Sequence, residues 1–364
     1  MEKVAILLAN GFAARDIATD FLLLSAEGDY DREWISPKVN LICFSTTREK
    51  CGIKRRLDYL LKFWAYLRAE NPDACITFEN ASDWLGVLGR VIFLRSMKLI
   101  FTIHSTISVL AEFDNSVGRT RAITAFLYRF ADVIVAVSKA SARNAEKYYF
   151  LPKGRVSAIY NPVISSEMLQ LAQADVEHMW FREPFLPVIL AVGSLRALKN
   201  YPLLIKAFAM VRKKYACKLL ILGQGEERHA LERLISDLEL QDDIAMPGFV
   251  QNPYAYMSKA SVLVLSSLVE GLPGVLIEAL ACGCPVISTN CPGGSREILQ
   301  YGKYGTLVPV GDVPAMASAI TEALEGKFPC TREERIARGR EFSVDKAVEA
   351  YLEAITANHR SKNP

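Results

Sequence analysis

Val188-Ile189-Leu190-Ala191-Val192-Gly193-Ser194-Leu195-Arg196-Ala197-Leu198-Lys199-Asn200 reads as five aliphatic residues, a glycine turn and two cations, with a helix beginning near Pro202. A short aliphatic run closed by glycine fits a strand buried on both faces, and a proline just inside a helix fits its first turn. Strand, turn and helix in that order form half of a parallel crossover unit. At such a turn the backbone can approach a ligand closely, and Arg196 and Lys199 ahead of a helix N-terminus suit a diphosphate. Taken alone, the stretch is equally well read as a solvated basic loop after a strand.

The same alternation continues on both sides. Further strands are expected at 218–222, 244–246, 262–265, 285–288 and 306–309, and, in the first half, at 4–9, 39–44, 74–78, 98–104, 133–137 and 156–160. Segments 54–70 and 121–131 carry apolar residues at helical spacing, as does the closing stretch 344–358. After Asn161-Pro162 the pattern lapses into an irregular, charged, proline-containing stretch. The expected organisation is therefore an α/β chain of two doubly wound Rossmann-like domains, 1–165 and 188–343. Residues 166–187 form the linker, and a C-terminal helix and tail, 344–364, packs back toward the N-terminal domain.

Composition agrees with two domains: 364 residues, 51% hydrophobic, at about 150 residues per domain. A net charge of +3 and a pI near 8.3 fall short of the concentrated positive field that nucleic-acid binding needs, so nucleic acid is not an expected partner. The first residues, Met1 to Leu8, read as a strand rather than a signal peptide, and no apolar run approaches the roughly 20 residues of a spanning helix. The expected location is cytoplasmic, at most peripheral at the inner face of the plasma membrane. Cysteines at 43, 51, 75, 217, 282, 284, 291 and 330 form no paired CxxC pattern, so reduced thiols and no metal site are expected. Cys282-Gly283-Cys284 reads as small buried residues before a strand.

Two further turns follow strands. Gly223-Gln224-Gly225-Glu226 lacks the third glycine and the downstream acid of a dinucleotide fingerprint, and as a tight turn it needs no function. The second is Glu270-Gly271-Leu272-Pro273-Gly274-Val275-Leu276-Ile277-Glu278, two carboxylates eight positions apart around a loop and a first helical turn. Carboxylates accept from sugar and ribose hydroxyls, while amides at a helix start hold phosphate.

The spacing of Glu270 and Glu278, with Arg196, Lys199 and Gly223-Gln224-Gly225 ahead of it, resembles the signature of retaining glycosyltransferase family four. Gly248-Phe249-Val250-Gln251-Asn252-Pro253-Tyr254 and Ala281-Cys282-Gly283-Cys284-Pro285-Val286-Ile287 through Glu297 match that family's pattern in order. The resemblance implies a GT-B fold with two domains facing a central cleft. It also implies a retaining, metal-independent hexosyl transfer from a nucleotide-sugar, UDP being the commoner family choice, and no further cofactor. By the same resemblance the N-terminal domain binds the acceptor and the C-terminal domain the donor. Arg196 and Lys199 would bind the diphosphate, Glu278 the ribose, Glu270 the transferred sugar, and the backbone at Phe249 and Val250 the base. Gly193, Gly223, Gly225, Gly271 and Pro273 would shape the donor site, and Gly274, Val275 and Leu276 would lend it their amides. In the first half, His104 after its strand would hydrogen-bond a donor-sugar hydroxyl, which makes His104, Glu270, Arg196 and Lys199 the catalytic candidates.

The family's amino-terminal turn has two glycines and a Glu-Arg pair, against Asn10-Gly11-Phe12-Ala13-Ala14-Arg15 here, where only Gly11 and Arg15 match, and by the resemblance Gly11 would be a further donor-binding residue. Between Ser45 and Tyr160, 18 Lys and Arg stand against 10 Asp and Glu, with Trp64, Trp84, Phe93 and Phe101 interleaved. That face could meet anionic lipid and a glycan or lipid-linked acceptor, as in lipopolysaccharide or other polysaccharide assembly, or could be ordinary helix faces and core aromatics. A GT-B sugar-nucleotide epimerase and a catalytically silent GT-B subunit are the rival readings.

Overall fold

The computed structural model describes residues 2–24, 34–45, 53–78, 80–92, 97–113, 115–182 and 186–357. The chain divides into two compact units, Met1–Pro162 with Val344–Pro364, and Val163–Ser343. The stretch expected as a linker belongs to the second unit and carries a helix, Ser166–Leu171.

In the first unit, β1 (Asp20–Leu23) and β2 (Asn40–Cys43) form a parallel pair. A separate parallel sheet runs β3 (Ala74–Thr77), β4 (Lys98–Ile103), β5 (Val133–Ala136) and β6 (Val156–Ala158), in that order. Side chains alternate across a strand, and here both faces are covered. Leu99, Phe101, Ile103, Ile134 and Ala136 enter one core; Ile100, Val133 and Val135 enter another, with Leu8, Phe12, Val348 and Tyr351. The helix Val344–Thr356 therefore supplies part of the first unit's core.

The expected first strand at 4–9 is a helix, Glu2–Ala13. Its buried positions include Ala5, Ile6, Leu8, Ala9, Phe12 and Ala13, which recur at three and four residues, a helical period that a window ending at Ala9 does not reveal. Gly11 is consequently a packing residue within that helix: a Cβ there would lie 2.6 Å from both Val344 Cγ1 and Val348 Cγ2. Arg15 donates to the Asp345 carbonyl at 3.1 Å, and Phe12 is buried, so this segment joins the two terminal helices rather than forming a ligand loop after a strand.

The second unit holds β7 (Val188–Val192), β8 (Lys218–Leu222), β9 (Ile244–Gly248), β10 (Val262–Leu265), β11 (Val286–Thr289) and β12 (Thr306–Val308), all parallel. Their order is β12-β11-β10-β7-β8-β9. Ile189, Leu219, Ile221, Val262 and Val264 pack under Leu204, Phe208 and Ile320.

Candidate active site

From β7 the chain builds outward through β8 and β9 on one side, and through β11 and β12 beyond β10 on the other. Such a reversal opens a crevice past the carboxyl ends of the two central strands, where ligands bind in open α/β sheets. The loops leaving β7 and β10 carry Lys199 and Glu270, and these meet: Lys199 Nζ lies 2.6 Å from Glu270 Oε1, the side chains being 25% and 12% exposed. Reading the sequence, the two residues had different ligands to hold; the structure brings them onto each other.

Two serines that follow β10 hold this couple. Ser267 Oγ donates to Glu270 Oε1 at 2.7 Å, and Ser266 Oγ donates to the carbonyl of Lys199 at 2.7 Å. Thr289 Oγ1 in turn donates to the Ser267 carbonyl at 2.6 Å. From the other side the loop after β11 closes in: the Glu270 amide donates to Pro292 and the Gly294 amide to Gly271, at 3.0 and 2.8 Å. Ser266, Ser267, Gly293 and Gly294 were not among the sequence candidates. Their signal was only two serines directly after a strand and two glycines in the loop after the next one, a pattern shared by any tight turn.

The Gly223-Gln224-Gly225 turn has a structural cause. A Cβ on Gly223 would lie 1.9 Å from the Gly193 carbonyl oxygen, and one on Gly225 would lie 2.3 Å from that of Leu195. The loops after β7, β8 and β9 are zipped together there, Gly193 to Leu222, Leu195 to Gln224 and Gly223 to Gly248. Beyond Gly248, Phe249 stands 72% exposed and Val250 is half-buried. Arg196 is exposed and makes no ion pair among the described residues.

After Gly271 and the buried Pro273, the helix Gly274–Ala281 begins with no side-chain cap. Uncapped first-turn amides carry partial positive charge suited to an anion. Leu276, one of the three expected amide donors, already donates to the Pro273 carbonyl at 3.1 Å, which leaves the role to Gly274 and Val275. Glu278 lies on the same helix, and the Tyr254 hydroxyl reaches its Oε1 at 3.5 Å.

In the first unit, His104 follows β4 directly. Its Nε2 lies 3.0 Å from Thr102 Oγ1, and its ring stacks on Phe78 at 5.5 Å between centroids. Thr102 Oγ1 donates to the Thr77 carbonyl at 2.5 Å, and Thr77 Oγ1 donates to the buried Asp83 carboxyl. Burial pushes the His104 imidazole down to about 4 and the Asp83 carboxyl up to about 7, in the latter case against the hydrogen bond from Thr77.

The family models agree with this architecture. Residues 1–167 match Glycosyltransferase Family 4, and residues 182–342 match Glycosyl transferases group 1. The chain belongs to glycosyltransferase family 4. A Campylobacter jejuni relative, N-acetylgalactosamine-N,N'-diacetylbacillosaminyl-diphospho-undecaprenol 4-alpha-N-acetylgalactosaminyltransferase, is 29% identical over 342 residues, 89% of this chain and 91% of that one. The O-antigen biosynthesis glycosyltransferase WclY of Escherichia coli is 30% identical over 221 residues, 58% and 59% of the two chains. The crystal structure of Anabaena Alr3699/HepE in complex with UDP and glucose is superimposable at a TM-score of 0.78 and 20% identity, covering 98% of this chain and 96% of that one. The fold of this family 4 glycosyltransferase is thus GT-B, built from two Rossmann-like α/β units.

Of the aromatics interleaved with the basic residues between Ser45 and Tyr160 of this glycosyltransferase, Phe101 is fully buried and Trp84 packs against a core, as ordinary core aromatics do, because both lie on the inward side of their elements. Phe93 and Cys51 lie outside the described residues. The seven described cysteines are free thiols. Among the described residues no helix is long and apolar enough to cross a membrane.

The Asp83 carboxyl gives the enzyme a pH signature. Its folded pKa lies above the unfolded value of 3.8, so the native state holds a proton that the unfolded chain releases. The associated stability is complete below about pH 4 and is lost as pH rises through 7, about 4 kcal/mol in all. His104, lowered by burial, works in the opposite direction over its own window and is common to both proteins in a comparison. Between pH 5 and pH 8 the wild type is therefore expected to lose about 2–3 kcal/mol more unfolding free energy than Asp83→Asn in denaturant titrations. Parallel pH profiles for the two proteins would refute a neutral Asp83.

Proposed function

We propose that this family 4 glycosyltransferase moves a hexosyl group from a UDP-sugar to a hydroxyl of a lipid-linked glycan in surface polysaccharide assembly, with retention of anomeric configuration and without a metal. The observation that carries the reading is the Lys199–Glu270 couple at the reversal of strand order, beside the uncapped helix start at Gly274. Support for the donor and acceptor classes comes from the relatives: UDP and glucose with HepE, a diphospho-undecaprenol acceptor in the C. jejuni enzyme's name, and O-antigen in that of WclY.

In this reading Arg196, Lys199 and the amides of Gly274 and Val275 meet the diphosphate. Glu278 takes the ribose, Phe249 and Val250 flank the base, and Gly193, Gly223, Gly225, Gly271 and Pro273 shape the loops between. Glu270, its Oε1 anchored by Lys199 and Ser267, orients a sugar hydroxyl. His104 accepts a hydrogen bond from a substrate hydroxyl. The acceptor oxygen bonds to the anomeric carbon as the carbon–diphosphate bond breaks on the same face, and the acceptor proton passes to the departing diphosphate. Fixed cations and amides stabilise that leaving charge without reorganising.

Incubating the full chain with UDP-, GDP- and dTDP-sugars, with and without polyprenyl-diphosphate glycan acceptors, tests the proposal. Acceptor-dependent UDP release and a product of unchanged anomeric configuration are expected. Isomerised donor with no nucleotide released would mark an epimerase, and silence with every donor a non-catalytic subunit; either would sink the reading.

A further inference from the structure

A threonine hydroxyl carries one proton and can donate only once. At Thr102 that proton is accounted for, because the Thr77 carbonyl 2.5 Å away can only accept. A lone-pair contact at that distance would repel, so the Thr102 oxygen turns its remaining acceptor capacity toward His104 Nε2, 3.0 Å away. That contact is attractive only when Nε2 bears hydrogen. We propose that Thr102 is a positioning residue that holds His104 as the Nε2–H tautomer and so presents Nδ1 as the hydrogen-bond acceptor toward a substrate hydroxyl. The last clause rests on the reading of His104 given above; the tautomer does not.

Several features make Thr102 suited to this task. It stands two residues before His104 at the end of a strand, which puts both side chains on one face. The residue is 6% exposed, so water competes little for the bond. The acceptor it uses is fixed in turn, since Thr77 ends the neighbouring strand and its own hydroxyl is tied to Asp83. Phe78 sets the plane of the ring by stacking at 28°. Burial, which holds the imidazole neutral at physiological pH, leaves a lone pair on the nitrogen that Thr102 does not engage. A neutral imidazole with a bare Nδ1 accepts from a hydroxyl, whereas the opposite tautomer would donate to the hydroxyl oxygen and reverse the direction of the bond.

The test compares wild type, Thr102→Val and Thr102→Ser, each labelled with nitrogen-15 in histidine, His104→Gln serving to assign the ring signals. Long-range proton–nitrogen correlations of the unliganded full chain should show a protonated Nε2 and a bare Nδ1 in wild type and Thr102→Ser. In Thr102→Val the Nδ1–H form should appear. A wild-type spectrum with hydrogen on Nδ1, or an unchanged tautomer in Thr102→Val, overturns the proposal, and the wild-type measurement stands even where the valine variant folds poorly. Steady-state kinetics with the active donor then separates the two claims. Loss of about tenfold in kcat/KM for Thr102→Val, restored by serine, supports the substrate contact. A shifted tautomer with unchanged turnover leaves the role of Thr102 standing and sinks that of His104.

Discussion

Lys199→Ala is expected to lower the rate of sugar transfer by two to three orders of magnitude while the protein melts within a few degrees of wild type. A preorganised donor to a developing anion contributes about 100- to 1,000-fold, because in a desolvated site it replaces water that would otherwise have to reorient. Lys199 qualifies by its placement. Its backbone is pinned by Ser266 and its ammonium is held against Glu270, so the cation is fixed before a donor arrives. Glu270→Gln is expected to cost a similar factor for a different reason: it keeps the acceptor shape but removes the charge that orders both Lys199 and Ser267. Because the two residues act as a unit, the double variant should fall little further than either single one. The stability cost stays small, since neither side chain belongs to the hydrophobic core of the second unit. Turnover within tenfold of wild type in both single variants would remove the couple from the mechanism.

Much of this arrangement was legible before any coordinates, and what was legible has a common cause. β7, β8 and β10 coincide with the aliphatic runs at 188–192, 218–222 and 262–265, because parallel strands covered on both faces must be continuously apolar. Arg196, Lys199 and Glu270 stood out as charged residues in the loops that follow such runs, and Glu278 by standing eight positions after Glu270 in a spacing that resembles the family's. Where the pattern is short or the constraint is tertiary, the sequence is silent. β1, the four residues Asp20 to Leu23, is half-buried along its length and too brief for any period to show. The helix Glu2–Ala13 opens with an apolar run that reads as strand until the burial of Phe12 and Ala13 completes the helical repeat. Gly11 resembled a loop glycine, yet its reason lies more than three hundred positions away, in Val344 and Val348. Ser267 and Thr102 escaped notice because a hydroxyl's partner is decided by which strands become neighbours, and strand order is not written locally.

Gly293→Ala carries the second large effect, and it acts on the site through the backbone alone. Gly293 has φ 126°, which an alanine adopts only under strain, and its added Cβ would fall 1.9 Å from the Glu270 carbonyl oxygen. Backbone atoms on both sides must then separate. The bonds at risk are those from Glu270 to Pro292 and from Gly294 to Gly271, the two that press the loop after β11 against the loop after β10. Two broken hydrogen bonds and a strained dihedral together cost about 3–5 kcal/mol. Displacing Glu270 and Gly271 by about an ångström should also reduce transfer by about 100-fold, because catalysis depends on orientation at that scale. Gly326→Ala is the control that separates the two causes: its φ is 77°, but nothing lies within 4 Å of the new Cβ. It should cost about 1 kcal/mol from the dihedral alone and leave turnover unchanged. If Gly293→Ala melted and turned over like Gly326→Ala, the loop after β11 would have no part in holding Glu270, and the carboxylate's position would have to be credited to Ser267 and Lys199 alone.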